Sequence, residues 1–355
     1  MGPPPSARPA ATSSLTRVAI NLHSDTQTKP TAPMRAAMAA AQVGDEQRGQ
    51  DPTTTELERR VAELLGHEAA VFLPSGTMCN EIALRLHIRP GGDEVILDRS
   101  AHPIVAEAGG PAALAGAMIS ALDGEGGIFT AAQLAAALHV DGDRYAARSR
   151  LVSVEQTSNM GGGRIWPLAG IEEVLDVAKQ NGLRAHLDGA RLMNAVVASG
   201  VPAADYARGF DTAWIDFSKG LGAPVGAVLA ASRELIDEAW RYKQMMGGAL
   251  RQSGILSAGC LYALDHHVER LAEDHANAQA LAEGLAAVPG IAVEPAEVET
   301  NIVIFEVSDA PAFERALAPE VDLLAIGPRH VRAVTHLDVD RAEIDAAIAA
   351  IAAAA

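Results

Sequence analysis

Cysteine is nearly missing from this chain. Its two cysteines in 355 residues, Cys79 and Cys260, cannot build a disulfide framework, and neither stands in a metal-ligand spacing. Lysine is scarce as well: Lys29, Lys179, Lys219 and Lys243 are the only four among 28 basic residues. Positive charge is in deficit overall. The formal net charge of −17 argues against the basic patches that nucleic acid or an anionic membrane would require. No apolar run reaches the roughly 18 residues that a membrane span needs. The N-terminus, MGPPPSARPAATSS, lacks the apolar centre of a signal peptide, and residues 1–18 read as a disordered extension. These absences predict a cytoplasmic location.

A hydrophobic content of 49% with 21% charged residues is that of a well-cored globular protein. The length allows one large domain and a smaller one. Strand patterns fall at Ala70–Leu73, Glu94–Leu97, Ala117–Leu122, Leu151–Glu155, Arg184–Leu187, Ala213–Phe217 and Ala227–Ala231, with helical patterns between most of them. That alternation predicts an α/β fold, a mostly parallel sheet covered by helices on both faces. Pro33 opens a short helix ending near Gly44. The run Thr53 to Glu56 reads as a capping box for a helix that stops at Gly66. From about Ile255 the pattern turns into one long helical stretch, Leu256 to Leu285, then strands at Ile302–Glu306 and His330–Thr335 and a closing helix. We therefore expect a large α/β domain over residues 19–254 and a small α+β domain over residues 255–355.

The stretch Asp211–Gly226, DTAWIDFSKGLGAPVG, delivers Lys219 from a strand into a glycine-rich loop. A lysine there can approach a bound aldehyde, and apolar surroundings that disfavour its charge make it a Schiff-base nucleophile. In an arbitrary chain such a lysine is usually a solvated surface charge, but here lysine is not the routine surface cation. Ser75, Gly76 and Thr77 stand between a strand and a helix. That turn is a good helix cap, and it is also a cradle for a phosphate. Asp188, in LDGAR, lies just past a strand, where it either caps the next helix or keeps a pyridine nitrogen protonated. His102 follows another strand and is either a structural histidine or one that stacks on a ring and moves protons. Arg191 and Arg332 are forks for a carboxylate or surface ion-pair residues. Together these are the parts of a pyridoxal 5′-phosphate (PLP) site.

The blocks HSDTQTKPT (23–31), GDEQRGQDPTTTELE (44–58), LPSGTMCNE (73–81), AHPIVAEAGG (101–110), LDGAR (187–191), SKGLGAPVG (218–226), GGALRQSGIL (247–256) and VRAVTHLDV (331–339) occur in order from about residue 20 onward. In them the chain resembles the threonine aldolase group of the β-eliminating lyase family, PLP enzymes of the aspartate-aminotransferase fold (fold type I). The resemblance implies that Lys219 holds the cofactor covalently, that Asp188 pairs with its ring nitrogen, and that His102 stacks on the ring and is a candidate for proton transfer. It places the phosphate at Ser75, Gly76 and Thr77, with Arg251 reaching it from a neighbouring subunit. Arg191 borders the cofactor and, with Ser24 and Arg332, binds the substrate carboxylate. It also implies a homo-oligomer, dimer or tetramer, with shared sites. Some members carry a structural cation, for which no ligands are identified in this chain. The implied reaction is retro-aldol cleavage of an L-β-hydroxy-α-amino acid to glycine and an aldehyde.

Three departures bear on the substrate. Arg48 stands where the family usually has tyrosine, Ser158 replaces a histidine, and a second family histidine aligns near Tyr145. In the family these positions surround the β-side chain, so an aldehyde pocket suited to aryl substrates such as phenylserine is expected. A PLP-dependent β-eliminating lyase is the nearest alternative, and a catalytically idle binding relative is a third reading.

Overall fold

In a computed structural model of the chain, residues 19–139 and 142–355 are described, and the extension expected over residues 1–18 lies outside them. The strands in chain order are β1 (Ile20–Asn21), β2 (Ala69–Leu73), β3 (Asp93–Asp98), β4 (Met118–Leu122), β5 (Arg148–Glu155), β6 (Arg184–Gly189), β7 (Thr212–Asp216), β8 (Ala227–Ala231), β9 (Ile302–Glu306), β10 (Val321–Asp322), β11 (Leu324–Ala325) and β12 (His330–Val334). All seven strands expected for the large sheet are present, within a few residues at each end.

The large sheet has the order β2-β8-β7-β6-β5-β3-β4. The pairs β7–β6, β6–β5, β5–β3 and β3–β4 are parallel, whereas β8 runs antiparallel to both β2 and β7. Strand β7 is buried at every residue, as a strand covered on both faces must be. The sheet is therefore mostly parallel, as the alternation of strand and helix patterns predicts. The register aligns Glu155 with Asp188 and Asp188 with Trp214, so three functional side chains stand in a row at the carboxyl ends. Ligands of open parallel sheets bind there.

Two helix boundaries differ from expectation. The helix Pro52–Leu65 is capped by Asp51, whose carboxylate accepts the Thr54 N–H at 3.0 Å, and not by the Thr53–Glu56 run. Proline at the first helical position has no N–H to leave unpaired, which moves the start two residues back. The long helical stretch is two helices, Gly254–His266 and Leu271–Ala286. His267 Nδ1 lies 2.7 Å from the Leu221 carbonyl, a tertiary bond at the break that periodicity does not reveal.

The hydrophobic interior forms a large core around the sheet and a smaller one around β9, β12 and the C-terminal helix Arg341–Ala354. Cys260 and Ala263 put the helix Gly254–His266 in the large core, although residues from 255 onward were expected in the small domain. Leu22, beside β1, packs in the small core, and β1 pairs with β10 in parallel. The small three-stranded sheet is antiparallel, β11-β12-β9. Among the described residues no helix is long and apolar enough to cross a membrane.

Candidate active site

Strand β7 delivers Lys219 as its spacing suggests. The chain leaves β7 at Asp216, and the lysine Nζ returns to the Asp216 carboxylate at 2.7 Å, with its side chain 14% exposed. Ser218 donates to the same carboxylate through its N–H and its hydroxyl, and the Thr28 hydroxyl donates to the Lys219 carbonyl. The amine also lies 5.5 Å from the Trp214 ring centroid. Lys243 is the contrasting case. It is wholly buried, ion-paired with Glu46 and set over Trp240, so its amine is committed to the fold.

The helix Gly76–His87 begins at the edge of this space. Ser75 caps it by accepting the Met78 N–H at 3.2 Å. Gly76 is required: a Cβ there would collide with the Trp214 ring and come within 3.1 Å of Asp216. Ser75 and Thr77 are exposed, so the free N–H groups of the helix end face an open space, as an anion cradle requires.

Asp188 is buried at the end of β6 and does not cap the next helix. One oxygen accepts the Ala190 N–H at 3.0 Å and the other accepts the Asn80 carboxamide at 2.8 Å. Burial, and then the neighbouring Glu155 charge, push its carboxyl up to about 7, against the opposing influence of Lys219, His102 and Asn80. A buried carboxylate so placed calls for a cation, and a protonated ring nitrogen supplies one. With the helix-end donors and the accessible lysine, these residues fit PLP.

Asn80 is the hub beneath the site. Trp214 Nε1 can only donate, so the 2.8 Å bond makes Asn80 Oδ1 the acceptor and its Nδ2 the donor to Asp188 and Glu107. His186 Nε2, 3.1 Å from Asn80 Oδ1, must then carry a proton, and its Nδ1 accepts from the Thr212 hydroxyl at 2.8 Å. His87 Nε2 in turn donates to Thr212 at 3.1 Å. Burial holds both rings neutral, His186 at about 3 and His87 at about 4. His102 sits across the site, half-buried, with Nδ1 2.7 Å from Glu107 and its backbone N–H bound to Glu155. Its Nε2 has no protein partner among the described residues.

Two buried guanidinium groups border the site. Arg191 makes a two-pronged ion pair with Asp25, at 2.6 and 2.8 Å. Burial alone would raise Asp25, yet the Arg191 charge holds it at about 2. Arg332 donates to Asn159 Oδ1 at 2.8 Å and to the His23 carbonyl, and its Nε lacks a partner. Burial and the Arg191 charge together lower it to about 10. Arg332, which has no carboxylate partner of its own among the described residues, is the guanidinium left for a substrate carboxylate. Ser24 stands beside them, its hydroxyl accepting the Thr26 N–H. Asp25→Ala is expected to destabilise the fold by about 3–5 kcal/mol by leaving Arg191 buried and unpaired. Chemical denaturation of the purified variant checks this.

Three expected residues are not brought to this site by their own chain. Tyr145 is 100% exposed and precedes β5, at the end of the sheet opposite the site. The strand between them is about 25 Å long at ~3.3 Å per residue. Arg48 is exposed on the short turn of helix Glu46–Arg48. The Arg251 side chain is 64% exposed and pairs with Asp45 at 3.3 Å. Ser158 is buried, its hydroxyl enclosed by Gly127 and Gly161. The residues that the sequence reading missed are Asp25, Asn80, Glu107, Glu155, Trp214 and Asp216. Of these only Asp216 carried a local signal, standing three positions before Lys219.

The β-eliminating lyase family matches residues 21–309. The chain is 42% identical over 296 residues to a probable low-specificity L-threonine aldolase 2 of Arabidopsis thaliana, covering 83% of each chain. It is 40% identical over 328 residues to the low specificity L-threonine aldolase of Escherichia coli K12, covering 92% of this chain and 96% of that one. Among solved structures, the threonine aldolase of Leishmania major superposes with a TM-score of 0.81 over 94% of this chain and 98% of that one, at 22% identity. A variant serine palmitoyltransferase from S. paucimobilis with a bound PLP–myriocin aldimine superposes with a TM-score of 0.74 over 95% of this chain and 87% of that one, at 19% identity. These two structures share the fold.

Proposed function

The chain belongs to the β-eliminating lyase family, and from that premise we propose how it works as a PLP-dependent carbon–carbon lyase of the threonine aldolase type. It cleaves L-β-hydroxy-α-amino acids to glycine and an aldehyde. The observation that carries this reading is the group of side chains gathered at the sheet's carboxyl edge. It joins a buried carboxylate in want of a cation (Asp188), an accessible lysine (Lys219) and a histidine with a free Nε2 (His102).

When bound, PLP supplies the electron sink that accepts the pair released as the Cα–Cβ bond breaks. Lys219, whose amine rests on Asp216, would be the residue that holds the cofactor's aldehyde carbon. The N–H groups of Gly76 and Thr77, left free because Ser75 caps the Met78 N–H, would hold the phosphate. Asp188 would keep the ring nitrogen protonated, and Asn80 and the Ala190 N–H keep that carboxylate in place. Arg191 and Arg332, with Ser24, orient the substrate carboxylate. His102 Nε2 takes the β-hydroxyl proton and can return one to Cα.

Burial of Asp188 has a measurable consequence. Without cofactor, the folded chain keeps a proton that the unfolded chain gives up near 3.8, so this group's contribution to stability declines as pH rises toward about 7. A cation at the ring nitrogen removes that decline. The rise in melting temperature on adding PLP is therefore expected to be larger at about pH 8 than at about pH 5, which differential scanning fluorimetry measures directly.

Arg251 reaches a cradle only if a second copy brings it there, so we place the complete site in a homo-oligomer. The exposed Val43, Met245 and Ile255 mark surfaces that such an assembly would cover. A cytoplasmic location belongs to the same proposal, supported by two buried, unpaired cysteines. The aryl preference rests on Ser158 alone in this chain's own site, because Arg48 and Tyr145 lie elsewhere. The test is product analysis of the PLP-loaded enzyme with threonine, allo-threonine, serine and phenylserine. Glycine with the matching aldehyde supports the aldolase, and phenylserine cleaved fastest supports the altered pocket. Keto acid with ammonia would move the enzyme to the elimination class, and no turnover with no PLP uptake would favour an idle relative.

A further inference from the structure

Behind His102 lies a second carboxyl group that the reaction described above does not use. Glu81 follows Asn80 on the helix Gly76–His87, is 2% exposed, and neither of its oxygens has a donor among the described residues. Glu107 Oε2 is without a donor too. The Glu81 carboxyl packs on Gly110, where a Cβ would collide with Oε1, and Gly110 in turn donates its N–H to the Glu107 carbonyl at 2.8 Å, so the buried, donor-free oxygens of the two carboxyl groups lie on the same turn. Ionised carboxylates have only lone pairs to offer, so two of them in contact require a proton between them.

The remaining contacts decide which residue carries it. Glu107 Oε1 receives the Asn80 Nδ2 donor at 2.8 Å and faces His102 Nδ1 at 2.7 Å, both of which favour its ionised form. Glu81 receives nothing, so the proton belongs to Glu81. We propose that Glu81 and Glu107 hold one proton between them and act as a positioning pair for His102. Glu81 donates to Glu107 Oε2, and the ionised Glu107 fixes His102 with its proton on Nδ1 and Nε2 open. The charge on Glu107 also supports the imidazolium that forms when Nε2 accepts a proton.

The electrostatics agree with this order. Burial, then the Glu107 contact, push Glu81 up to about 8, and the Glu107 hydrogen bond raises His102 above an ordinary histidine. The other charged groups facing His102 are Asp188, which raises it, Lys219, which lowers it, and Glu155, whose carboxylate accepts the His102 backbone N–H. The pair deepens the reading of His102 as the proton-handling group and rests on that reading.

The test is the pH titration of His102 by nitrogen-15 NMR in the PLP-loaded protein labelled at its 11 histidines, with His102→Gln identifying the resonances. In the unaltered chain Nδ1 stays protonated throughout, Nε2 titrates above an ordinary histidine, and a second drift follows as Glu81 ionises. Glu107→Gln keeps an acceptor for Nδ1, so the tautomer persists while the His102 pKa falls by about one unit, roughly tenfold in proton affinity. Glu81→Gln still donates to Glu107, so the His102 titration is kept while the second drift disappears. An unmoved titration in Glu107→Gln overturns the proposal. So does a Glu81→Gln variant whose His102 pKa falls, which would put the charge on Glu81. If Glu107→Gln does not accumulate folded, the second drift and its loss in Glu81→Gln decide the matter alone. Because the readout is a resonance and not turnover, a failed aldolase assay with an intact titration would refute the reaction and leave the pair standing.

Discussion

Lys219→Ala is expected to lose catalysis by on the order of 10⁴–10⁶-fold, the range seen when the nucleophile of a concerted site is removed. The variant should also lack the visible absorption of a lysine-bound cofactor. The fold should survive, because the lysine's hydrogen bond is to Asp216 at the site's rim and its side chain is not part of either core. Asp216 then loses its cation, while the Ser218 N–H and hydroxyl continue to satisfy one of its oxygens. Steady-state turnover, an absorption spectrum and a melting curve on one preparation separate lost chemistry from lost structure. Lys243→Met is the matched control: it removes the other lysine facing the protein interior, leaves Glu46 buried without its partner, and should damage stability while leaving Lys219 able to hold PLP.

Asp188→Asn is the second large effect. The carboxylate stands at the sheet edge where the ring nitrogen is placed, and its charge is what an amide cannot supply. Turnover should fall roughly 10²–10³-fold, the scale for removing one preorganised electrostatic contact. The loss should appear in kcat more than in KM, because the charge acts on the electron sink and substrate orientation is left to Arg191 and Arg332. In the cofactor-free protein the substitution relieves the cost of burying a charge that burial and Glu155 already disfavour. The amide oxygen can accept from only one of the two donors that Asp188 satisfies, so the amide nitrogen opposes either Asn80 Nδ2 or the Ala190 N–H, and this cost of roughly 1–3 kcal/mol works against that relief. A kcat that barely changes would show that Asp188 does not face the ring nitrogen.

Much of this site was legible before the structure, and the reason is local. Lys219, Asp188, His102 and Ser75–Thr77 each follow a strand pattern directly, and a parallel sheet gathers such positions at one edge. The register of Glu155, Asp188 and Trp214 then aligns residues that are separated by dozens of positions in the chain. What the sequence could not disclose are the partners that meet only through packing. Asp25 pairs with Arg191 across 166 positions, and Asn80 reaches Asp188 across 108. No periodicity encodes either pairing. Glu107 is five residues from His102, but an acidic residue in a glycine-rich turn reads as a solvated charge until its burial is known. The helix break near His267 was hidden for a similar reason, since the residues around it are ordinary helix formers and the interruption is tertiary. Tyr145 and Arg48 differ: the resemblance to a family put them at the site, and this chain's own fold leaves both exposed.

The measurement that tests the central assignment most directly is borohydride reduction of the PLP-loaded protein followed by peptide mass mapping. Reduction fixes the cofactor to whichever lysine holds it, and the chain offers only Lys29, Lys179, Lys219 and Lys243. The account predicts the added mass on the peptide containing Lys219 and on no other. The same mass on Lys29, Lys179 or Lys243, or an unmodified chain from a protein saturated with PLP, would contradict it.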